Sequence, residues 1–134
     1  MTQRGSVTPL ALGLGFVVLA VSGLVVDGTR AFLLRRTLQN AADAAALAGA
    51  GEVDVPAYYS SGGRTIVLRP EAAQRAAHRW LAARGIAGRV VVDVEAEGVA
   101  VVLRSRVDTL FLRLAGIDSV PVAVSARAGP LSSL

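Results

Sequence analysis

Cysteine is absent from the sequence, and with it go disulfides, thiolate zinc sites and a cysteine nucleophile. Lysine is absent too: all fourteen basic residues are arginine, which reads as a genomic composition bias rather than phosphate recognition. The net charge of +4 is spread along the chain without a dense basic run. Aromatic residues supply only 4%, so the 53% hydrophobic content comes from Val, Ala and Leu. In a chain of 134 residues, that is too apolar for an ordinary soluble domain.

Charge is missing altogether from residues 7–26, VTPLALGLGFVVLAVSGLVV. At about 1.5 Å per residue this helix would cover the roughly 30 Å hydrocarbon core of a bilayer. Pro9 falls in the first turn, where its missing N–H costs nothing, and Ser6 or Thr8 is suited to cap it. The run is longer than the apolar core of a signal peptide. The small-x-small motif Ala46-Leu47-Ala48 lies far beyond it, and Ala20-Val21-Ser22 lies inside it. An uncleaved anchor is the expectation, with residues 1–6 as a short tail.

No helix breaker follows the span. Over residues 27–50 the positions Ala31, Leu34, Leu38, Ala41, Ala45 and Ala48 alternate spacings of three and four, the rhythm of a helix seam. The phase runs back through Leu24, Ala20, Val17, Gly13 and Leu10. Arg35, Gln39 and Asp43 make a polar i, i+4 stripe on another side. The alanine-rich stretch LQNAADAAALAGA has high helix propensity but little bulk. Such a seam admits another helix backbone at close range; the plainer reading is a stiff stalk.

The stretch RGSVTPLALGLGFVVLAVSGLVVDGTRAFLLRRTLQNAADAAALAGA resembles the N-terminal region of the TadE/TadG-like proteins of tight-adherence (Flp) pilus assembly. The matching positions are Asp27, Arg30, Leu38, Gln39, Asp43 and the alanines that follow. The tail FLRLAGIDSVPVAVSARA is similar, more loosely, to the family's closing strand. In family members cut by prepilin peptidase, cleavage follows a Gly and needs a Glu five residues later. Gly5 is in place, but Leu10 stands where the Glu would be, so no cut is expected and the chain is closer to the unprocessed TadG-like branch. The resemblance implies a C-terminal domain outside the membrane. The arginine count points the other way, with Arg4 before the span and Arg30, Arg35 and Arg36 after it; one short anchor gives that count little weight.

Residues 51–64 mix Gly, Ser, Pro and two Tyr and read as a linker. Ser60-Ser61-Gly62-Gly63 lacks the Lys of a phosphate loop and is a turn. Residues 65–134 read as a small α+β domain. Thr65–Leu68 is a short strand, and Pro70 opens a helix through Arg84 with Ala73, Ala76, Ala77, Trp80 and Leu81 on one face. The segment RVVVDVEAEGVAVVLRSR is a hairpin turning at Glu97-Gly98, with Val94 opposite Val101 and Val92 opposite Leu103. Asp108 caps a short helix that buries Leu110, Phe111 and Leu114 and ends at Gly116. Residues 120–128 form a strand, with Pro121 at its start or on a sheet edge. The expected whole is α+β: one transmembrane helix extended as a long Ala-rich amphipathic helix, then a pilin-like antiparallel sheet with one packed helix.

Chemistry has few candidates. His78 stands alone on an arginine-bearing face, with no carboxylate at ligand spacing. Asp93 and Glu95 share a strand face like a catalytic pair, but cross-strand pairing with Arg104 and Arg106 is simpler. Arg75, His78 and Arg79 lack the interleaved aromatics that base stacking wants. No enzyme, cofactor, metal or nucleic acid is expected. Two readings remain. One is a single-pass pilus-assembly protein, minor-pilin-like, that contacts membrane lipid and other pilus or envelope proteins through helix packing, as homo- or hetero-oligomers. The other is an envelope anchor whose small extracytoplasmic domain binds another component, unconnected with pili.

Overall fold

The computed structural model describes residues 7–95 and 98–130. One unbroken helix, α1 (Val7–Ala50), runs through both the apolar run and the alanine-rich stretch, about 65 Å at the standard rise. The short helix α2 (Val55–Ser60), the helix α3 (Pro70–Ala83) and strands β1 (Arg89–Glu95), β2 (Gly98–Asp108) and β3 (Ser119–Ala128) follow. A 3₁₀ turn, Leu112–Ala115, sits between β2 and β3. The strands form one antiparallel sheet in the order β1-β2-β3. The C-terminal half of α1 lies on β2 and β3, while α3 packs beside it over β1. The α+β architecture expected from the sequence is the one observed.

Each element has a local cause. Pro70 starts α3 with its fixed φ, and Gly85 follows its end at a φ of 61°. Ala73, Ala77 and Leu81 face the core, while Ala76 and Trp80 are half-buried. The guanidinium of Arg84 stacks 3.8 Å from the Trp80 ring centre. Along the strands the period of two separates faces: Val92, Val99, Val101, Leu103, Val122, Val124 and Ala126 are buried, and apart from Gly98 the strand residues between them are not. Pro121 lies on β3, an edge strand, as its missing N–H requires.

Several expectations are corrected. The stretch expected as a linker carries α2, opened by the Asp54 carboxylate accepting the Ala57 N–H at 3.0 Å. Thr65–Leu68 is not a strand; it contributes one isolated bridge, Leu68 to Val53. The hairpin faces are as expected, but the pairing is shifted by two residues: Val94 faces Val99, Val92 faces Val101 and Val90 faces Leu103. Because the side-chain period is also two, the shift keeps the same residues inside. Gly98 is a paired strand residue opposite Glu95. A Cβ there would lie 2.5 Å from the Ala128 carbonyl, so close approach rather than turn geometry explains the glycine. Glu97 lies outside the described residues.

The segment after β2 differs most. Asp108 ends the strand instead of capping a helix, and Leu110, Phe111 and Leu114 are exposed instead of buried, Leu114 at 88%. Gly116 does end the turn, at a φ of 83°.

Candidate functional site: the junction of the apolar helix and the domain

Asp27 is the first charged residue after the apolar run, and it is 3% exposed. Its partner lies more than eighty residues along the chain. Oδ1 accepts the Leu110 N–H at 2.8 Å, and Oδ2 accepts those of Phe111 at 2.9 Å and Leu112 at 2.8 Å. A short helical turn leaves its first N–H groups unpaired, and a carboxylate is the strongest acceptor a side chain can offer them. Here that acceptor comes from another helix rather than from the residue before the turn. Burial pushes the Asp27 carboxyl up, but the backbone N–H groups of Leu110, Leu112 and Phe111 and the nearby Arg30 outweigh it and hold the carboxyl below its ordinary value.

One turn before Asp27, Gly23 is the one buried residue of 7–26. A Cβ built on it would meet the Phe111 Cβ and Cγ at 2.6 Å, so only glycine lets this loop lie against the helix. On either side of this glycine, Phe16, Leu19 and Leu24 face Phe111 and Leu114 across an apolar groove of about 430 Å³. The junction is therefore a three-part joint: an acidic clasp, a glycine notch and an apolar groove.

The seam positions divide. Leu38, Ala41 and Ala45 are buried, and Ala31, Leu34 and Ala48 are half-buried. What covers them is the chain's own sheet and α3. The seam also omits fully buried neighbours: Ala42 and Ala46 are at 0% exposure. A Cβ on Gly49 would lie 3.0 Å from the Ala73 carbonyl and 3.1 Å from Val99 Cγ1. The small residues thus admit α3 and β2 at close range, which is why the stretch is smooth.

Of the family-motif positions, Asp27 and Leu38 are buried, Arg30 and Asp43 are exposed, and Gln39 is half-buried. Gln39 Nε2 donates to Asp43 Oδ1 and to the Ser125 carbonyl, both at 3.1 Å. This ties α1 to the edge strand β3. Gly5 lies outside the described residues; Leu10 is exposed on the helix. Among the residues weighed for chemistry, His78 is exposed. Glu95 pairs with Arg127 at 2.8 Å rather than with Arg104 or Arg106, which lie well along β2 from its partner Gly98. Asp93 stands opposite Ala100.

Sequence reasoning missed the clasp and the notch. The available signal was a lone carboxylate directly after twenty uncharged residues, a costly place for a charge without a partner.

No curated protein and no solved structure matches the chain. Residues 5–52 match the Tad family model, described as "Putative Flp pilus-assembly TadE/G-like", so this N-terminal segment is TadE/G-like and the resemblance read from its motif holds over that segment.

Proposed function

We propose that the chain is a membrane-anchored component of Flp pilus assembly, minor-pilin-like in build, that works through helix packing and protein contacts rather than through chemistry. The observation that carries the reading is the division of α1. Every residue of 7–26 except Gly23 is exposed, while much of 27–50 is built into the domain. This is the one helix among the described residues long and apolar enough to cross a membrane. Its N-terminal half is thus left for lipid and for the helices of other subunits. Gly13 and Gly15 have nothing within 4 Å of a built Cβ, and small residues of this kind let neighbouring helices approach in lipid. The Ala-rich half is a different device: it stiffens the joint by packing the domain directly on the anchor.

In this reading the domain lies on the extracytoplasmic side, where it meets other pilus or envelope proteins in homo- or hetero-oligomers. The test is deletion of the gene with complementation by a C-terminally tagged chain. Surface filaments should be lost in the deletion and restored by the tagged protein, which should co-purify with pilus components from membranes or sheared filaments. Normal piliation in the deletion strain would overturn the assembly role and leave an envelope anchor with another partner.

A further inference from the structure

We infer that the loop between β2 and β3 is a second membrane contact, which enters the acyl region of the same leaflet that the N-terminal helix leaves. The inference rests on the proposed anchoring of α1. Leu110, Phe111, Leu114 and Ile117 are all exposed within this one loop, at 56%, 43%, 88% and 47%. Four large apolar side chains on one short loop form a patch, and such a patch marks a contact surface.

Continuity with the span identifies the occupant. The loop rests on Gly23 and shares its groove with Phe16, Leu19 and Leu24. Leu19 lies about 12 Å along the helix axis from Asp27, toward the membrane interior. A bilayer that covers the apolar run therefore surrounds the loop as well. The exposed groove walls are apolar and fit an acyl chain.

Non-helical backbone is tolerated at membrane depth only where protein covers it. This loop lies against α1 with its apolar side chains, rather than bare backbone, turned outward. Most of the loop's backbone N–H groups are paired within the chain. Asp27 takes the N–H groups of Leu110, Phe111 and Leu112. Thr109 N–H bonds the Asp118 carbonyl, Leu114 N–H that of Phe111, Gly116 N–H that of Arg113 and Ile117 N–H that of Leu112. The Thr109 hydroxyl donates to the Ile117 carbonyl. Arg113, exposed beside Leu114, has the long stem that lets a guanidinium reach the headgroups from an apolar position. With two contacts instead of one, the helix and the domain packed on it cannot tilt freely in the bilayer. Their orientation to the membrane plane is set.

The absence of cysteine makes the test direct. Single variants Leu114→Cys, Leu14→Cys and Ala82→Cys, all at exposed positions, are labelled with an environment-sensitive fluorophore. Each full-length chain is reconstituted in phosphatidylethanolamine–phosphatidylglycerol vesicles. Leu14 reports insertion of the span, and Ala82, exposed near the C-terminal end of α3, reports water. The expected result is blue-shifted emission at Leu114, quenched by nitroxides on lipid acyl chains and insensitive to iodide, as at Leu14. Iodide quenching at Leu114 with Leu14 in lipid would overturn the second contact and leave the anchor intact. Iodide quenching at Leu14 would overturn both. A Leu114 label shielded from both quenchers, and exposed to lipid only on dilution of protein in the bilayer, would identify a second copy as the occupant and also overturn the proposal.

Discussion

Gly23 and Phe111 meet with no room between them: a side chain on the glycine would lie 2.6 Å from the Phe111 Cβ. Gly23→Ala must therefore displace the loop, although alanine is the better helix former. Gly13→Ala, at a site with nothing within 4 Å, is the comparison and should leave the loop in place. Amide exchange at Leu110–Leu112 reads the difference. Equal protection in the two variants would show that the notch does not hold the loop.

Asp27→Ala removes the acceptor of three backbone N–H groups. Exchange at those amides should rise by about tenfold or more, because buried donors without partners are costly. Asp27→Asn keeps the shape but loses the charge and one acceptor atom, so its effect should lie between. If Asp27→Ala exchanges like the parent, the clasp contributes nothing to holding the loop.

The same carboxylate sets a pH dependence. Its value in the fold is below the ordinary 3.8, so its contribution is complete above that value. It is lost as pH falls from 3.8 through the lower folded value. Loop protection should hold constant across neutral and mildly acidic pH and fail only in strong acid. Loss between pH 5 and 7 would contradict the assignment.

Ala45 is fully buried against the chain's own domain. Ala45→Leu should destabilise the domain by roughly 1–3 kcal/mol through overpacking. Leu47→Ala, at a position 62% exposed, should change stability by less than about 0.5 kcal/mol. Thermal unfolding in detergent makes the comparison. A harmless Ala45→Leu would mean that α1 and the sheet are not in contact.

Leu103 lies in the sheet core at 2% exposure. Leu103→Ala should cost roughly 2–5 kcal/mol, and Val101→Asp should abolish folding because it buries an unpaired charge. Arg79→Ala, on the exposed face of α3, should be near neutral. Similar unfolding curves for Arg79→Ala and Leu103→Ala would reverse the assigned faces.

What could be read from the sequence was local. The uncharged run, the uninterrupted helical rhythm after it, Pro70 and Gly85 around α3, and the alternation of β1 through β3 are all set by neighbours along the chain. Helix propensity, proline geometry and side-chain period act within a few residues. For the same reason the faces of the hairpin were legible and its pairing was not: a shift of two residues leaves every side chain on its face. The apolar loop could not be read locally either. Leu110, Phe111 and Leu114 look like core in sequence, and only the fold brings them to the apolar helix instead of into the sheet.

The tertiary structure alone decided the joint. Nothing near Asp27 in sequence marks it as the cap of a turn beginning past Asp108, and nothing near Gly23 shows the Phe111 ring it must admit. The alanine seam was visible as a rhythm, but its partner was chosen by the closing of the sheet and α3 over it. Burial and hydrogen bonding depend on which surfaces meet. Those surfaces are brought together by the whole chain, not by the spacing within one helix.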